Sequence, residues 1–88
     1  MNGPAYRWFS TQSADVLRDR VYRLAGRILL EGCTPGRAGI VAALVQVFKD
    51  RAGPENSDHD QHRYYRGLLP LVERLQTHAE NFSRLELT

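Results

Sequence analysis

The chain has 88 residues, 42% of them hydrophobic and 25% charged, with a formal net charge of +2. A chain this short makes one domain and buries only about 60–65% of its unfolded surface. The charge is too slight for a strongly basic nucleic-acid binder, the longest apolar run, IVAALV, falls far short of the roughly 20 residues that cross a membrane, and MNGPAYRWFS lacks the apolar stretch of a secretory signal.

Residues 1–12 read as an aromatic arm. Tyr6, Trp8 and Phe9 are costly to leave in water, so the arm either folds back over the helices or hooks a partner.

The first predicted helix spans 13–31. Ser13 is a good N-cap and Asp15 suits the positive end of the helix dipole. Leu17, Val21, Leu24 and Ile28 recur at helical spacing and make one apolar face. Gly32 is a natural terminator. Cys33, the single cysteine, permits no intrachain disulfide and fits a reducing, cytoplasmic setting.

The second helix spans 35–52, with Thr34 as cap and Pro35 in the first helical position. Ile40, Val41, Leu44, Val45, Val47 and Phe48 cover much of its circumference, which marks it as the central element. Gly53-Pro54 ends it, and GPENSDHDQ is a polar loop.

The third helix spans 58–85, capped by Ser57 or Asp58. Tyr65, Leu68, Val72, Leu75, Ala79 and Phe82 keep one phase straight through Pro70. A kinked continuous helix fits this better than a break, because two separate helices have no reason to share a phase. The competing reading is a break at Leu69, with Pro70 opening a fourth helix. The fold expected is an all-α bundle of three helices, four if Pro70 breaks the last, preceded by the arm.

Charge is unevenly spread. Residues 1–37 hold six arginines against three acids, and residues 58–88 hold four arginines against five. Arg20, Arg23 and Arg27 fall on one flank of the first helix. Such a stripe suits phosphates or an acidic protein surface; alternatively it is a solvated face partly neutralised by Asp19 and Glu31. In RYYR, Arg63 and Arg66 are expected to point outward while Tyr65 enters the core. Arginine interleaved with tyrosine also suits single-stranded nucleic acid.

The remaining candidates are weaker. DHDQH places His59 and His62 three apart, short of the four ligands a structural zinc takes. Cys33, at a helix start, has no base assigned to it by spacing. No catalytic residue, metal or cofactor is expected. Phe82, Leu85 and Leu87 extend past what three short helices need. With Trp8 and Phe9, Phe82 and Leu85 are expected to meet a partner or a second copy in a homodimer.

ILLEGCTPGRAGIVAAL resembles the first helices of bacterial helix-turn-helix domains, but after Leu44 the apolar helix continues where that family has a turn and a polar recognition helix. QHRYYRGLLPLV resembles a short segment of phage-encoded recombination accessory proteins, which implies a phage or mobile-element origin and, as one concrete form, an inhibitor of a host system. The residues themselves suggest a non-enzymatic module, an adaptor or inhibitor covering a surface of a larger protein. The alternative is a nucleic-acid-binding accessory protein using the arginine stripe as a dimer.

Overall fold

The three helices read from the sequence form, and a fourth forms within the arm. The computed structural model describes residues 3–87, with side chains through residue 81. The elements are α1 (Pro4–Ser10), α2 (Ala14–Glu31), α3 (Pro35–Ala52) and α4 (Asp60–Leu87). Ser13 Oγ accepts from the Val16 N–H at 3.5 Å and Thr34 Oγ1 from the Arg37 N–H at 3.2 Å, so each satisfies a donor the helix leaves free. Gly32 and Gly53 end α2 and α3 at φ of 82° and 63°, a region open to glycine and strained for other residues.

α3 is the central element. It packs most extensively on α4 and also on α1, while α2 leans chiefly on α4. Leu17, Val21, Leu24 and Ile28 of α2 meet Val41, Leu44, Val45, Val47 and Phe48 of α3 and Tyr65, Val72, Leu75 and Ala79 of α4 in one buried cluster. Phe48 and Tyr65 meet edge to face with centroids 5.5 Å apart. At 28 residues, α4 runs the length of a molecule whose longest dimension is 45 Å.

Three expectations need correction. Most of the arm is helical: Pro4 occupies the first turn, and the short helix folds back on α3. Phe9, expected at a partner surface, is instead 3% exposed in the core. Its ring has too much apolar area to leave in water when α3 offers a seat. The last helix runs unbroken through Pro70, as its shared apolar phase predicts, so the fourth helix comes from the arm rather than from a split at Pro70. Proline lies on the exposed side and the buried stripe runs past it in phase. Finally, α4 starts at Asp60, not at Ser57 or Asp58. His59 does the capping: its carbonyl accepts from the Arg63 N–H at 3.0 Å and its Nδ1 from the Gln61 N–H at 3.2 Å. The side chains of Phe82 and Leu85 lie outside the described residues.

Candidate partner-binding surface

Because α2 leans on α4 more than on α3, much of its circumference faces outward. Its four central arginines divide by partner. Arg18 pairs with Asp15 at 3.9 Å, Arg23 with Asp19 at 2.7 Å and Arg27 with Glu31 at 3.7 Å, all along the same helix and open to water. Such pairs contribute a few tenths of a kcal/mol, yet they lower the field of the stripe. Arg20 differs. Its guanidinium lies over the Trp8 ring, 5.2 Å from the centroid, and among the described residues no carboxylate pairs with it.

Arg20 and Trp8 border a groove of about 270 Å³ where α1, α2 and α3 meet, lined also by Ala5, Phe9, Leu24 and Ile40. Trp8 is 47% and Ile40 39% exposed. Further along α2, Tyr22, Leu29 and Leu30 are 58%, 59% and 87% exposed. Three large apolar side chains in water on one helix are unusual for an isolated small domain.

The other predicted arginines separate. Arg63 is exposed, as expected. Arg66 does not point outward: it is half-buried and donates to the carbonyls of Glu55 at 2.7 Å and Ser57 at 2.6 Å. It ties down the loop before α4, because a loop folded against the bundle must satisfy its carbonyls. In the same loop Ser57 Oγ lies 2.7 Å from His62 Nδ1. His59 and His62, with ring centroids 5.1 Å apart, are thus a cap and a loop anchor. Among the described residues no group of three His, Cys, Asp or Glu is placed to hold a metal ion. Cys33 is buried, with its thiol 3.7 Å from the Thr34 carbonyl. α3 runs uninterrupted to Ala52, without the turn that a recognition helix would need.

Sequence reasoning missed Arg51. Its guanidinium donates to the carbonyls of Ser10 at 2.6 Å and Gln12 at 3.0 Å and to the Tyr65 hydroxyl at 2.7 Å. It joins the α1–α2 connection to the core. The available signal was Tyr65 itself, since a tyrosine inside a core stripe requires a partner for its hydroxyl. Nearby, the Tyr6 hydroxyl donates to Asp50. That hydrogen bond, then desolvation and the carboxylate charge, raises the Tyr6 pKa above its ordinary value. Arg51 also borders an open depression of about 600 Å³ with Gln12, Ser13, Asp15, Gln61 and Tyr64. Its guanidinium is already occupied by the chain's own oxygens.

Among the described residues no helix is long and apolar enough to cross a membrane. No protein-family model matches the chain, and neither does any curated protein or solved structure.

Proposed function

We propose that the chain is a non-enzymatic, cytoplasmic protein-interaction module, an adaptor or inhibitor that covers a surface of a larger protein. One observation carries this reading: the outward side of α2 exposes Tyr22, Leu29 and Leu30 while Arg18, Arg23 and Arg27 are paired with acids of the same helix. Apolar area released from water drives protein association at about 25 cal/mol per Å². A phosphate-binding stripe needs cations free to displace counterions, and paired arginines deliver little of that.

The test is a photo-crosslinking residue placed at Leu30, and separately at the exposed Glu73 of α4, in the cells that produce the chain. A discrete protein adduct at Leu30, missing at Glu73 and abolished by Tyr22→Lys, is the expected result. Salt-sensitive binding to duplex or single-stranded nucleic acid in fluorescence anisotropy, lost on replacing Arg20, Arg23 and Arg27 by glutamine, would favour the nucleic-acid reading and reject this one.

A further inference from the structure

We propose that the groove between α1 and α2 is a docking site for an acidic peptide segment of a partner protein. One carboxylate would sit on Arg20 and one large apolar side chain against Trp8 and Ile40. The proposal rests on the protein-interaction reading and names the chemistry of the partner.

The groove is lined by Ala5, Trp8, Phe9, Leu24 and Ile40, with Arg20 its single charged residue. At about 270 Å³ it lies below the roughly 300–1,000 Å³ of small-molecule sites and fits a protruding side chain better. Arg20 is half-buried, over the Trp8 face, whereas Arg18, Arg23 and Arg27 each have an acid beside them. A guanidinium held over a ring by its charge still has N–H donors to offer, in a planar fork matched to a carboxylate. Apolar walls on one side weaken screening and strengthen that contact. An aromatic and an arginine side by side are also the residue types that dominate interface energetics.

Trp8 is the single tryptophan, so its emission reports on the groove. The probes are two synthetic amphipathic helical peptides with the same leucine face, one with glutamate and one with lysine on the polar face. The glutamate peptide should change Trp8 emission saturably and the lysine peptide should not. With labelled peptide, Arg20→Gln should weaken binding by about tenfold, the scale of one charge-assisted contact. Arg20→Lys should remain weak for want of the fork, while Arg23→Gln should change affinity by less than about threefold. Circular dichroism should show an unchanged fold for each variant. An equal response to both peptides, no response, or unchanged affinity in Arg20→Gln overturns the proposal. If a protein adduct at Leu30 persists in Arg20→Gln at wild-type yield, the interaction reading stands and the acidic-peptide site falls. If no adduct forms while the peptide results hold, the functional reading fails instead.

Discussion

Replacing Arg51 by methionine should detach the N-terminal helix from the bundle before it disturbs anything else. Methionine keeps most of the aliphatic stem and removes the guanidinium. Three hydrogen bonds disappear, to Ser10, Gln12 and Tyr65, together with a cation–π contact 5.4 Å from the Tyr65 ring centroid. Hydrogen bonds from a charged donor contribute about 1.5–3 kcal/mol each. Arg51 is only half-buried, and two of its acceptors recover water when released, so the combined loss is about 2–4 kcal/mol. A domain of this size has about 4–13 kcal/mol in total. The midpoint of thermal unfolding should therefore fall by about 10–25 °C. Urea titration followed by far-UV circular dichroism gives the free energy, and amide exchange shows whether α1 loses protection first. Tyr65→Phe removes one of the three contacts and should cost about 1 kcal/mol. The double variant should fall short of additivity by a similar amount. Lys49→Met, at an exposed neighbouring position, should stay within about 0.5 kcal/mol of wild type. If Arg51→Met costs no more than Lys49→Met, the clamp carries no stability and the reasoning is wrong.

Gly53 has φ of 63°, and a Cβ there would stand 2.6 Å from His62 Nδ1. Gly53→Ala should cost about 2 kcal/mol or more through strain and displacement of His62. Adding His62→Ala should recover the steric part; an alanine tolerated at Gly53 without loss would show that the turn is not held this way. Pro70→Ala restores an N–H to an exposed stretch of α4 and should raise the unfolding free energy read by urea titration, by at most about 3 kcal/mol, the cost of an interior proline. A fall instead would mean that the packing of α4 requires the proline. The raised Tyr6 pKa means that the folded chain holds the phenol proton more tightly than the unfolded chain does. The stability from its contact with Asp50 is complete below the ordinary tyrosine value and is lost as pH rises through the raised one. Tyr6→Phe should flatten this alkaline decline, and absorbance titration of tyrosinate should show the late-ionising group vanish.

Local and periodic features were legible in the chain. Ser13, Thr34, Gly32 and Gly53 bound their helices because capping depends on residues a few positions apart. The stripes of α2 and α4 came through because a buried helix face must repeat every three or four residues, and the phase kept across Pro70 read correctly as one helix. The Arg20, Arg23 and Arg27 flank was visible for the same reason. Its division into paired and unpaired members was half visible, since Asp19 and Glu31 lie four residues from Arg23 and Arg27. What singles out Arg20 was hidden, because Trp8 reaches it only when α1 folds back. Phe9 and Trp8 are adjacent in sequence and looked equivalent. The turn of α1 sends one into the core and leaves the other at the groove. Arg51 carried no sequence signal of its own and Arg66 was expected to point outward to a partner, yet tertiary packing brings backbone carbonyls of Ser10, Gln12, Glu55 and Ser57 to their guanidiniums. The sequence by itself determined the caps of α2 and α3 and the apolar stripes of α2 and α4, since those follow from near-neighbour geometry, but not the helix in the arm or the start of α4 at Asp60. Tertiary structure alone decided that Arg51 and Arg66 reach distant carbonyls and that Arg20 meets Trp8, because such contacts depend on distances between segments that the linear order does not contain.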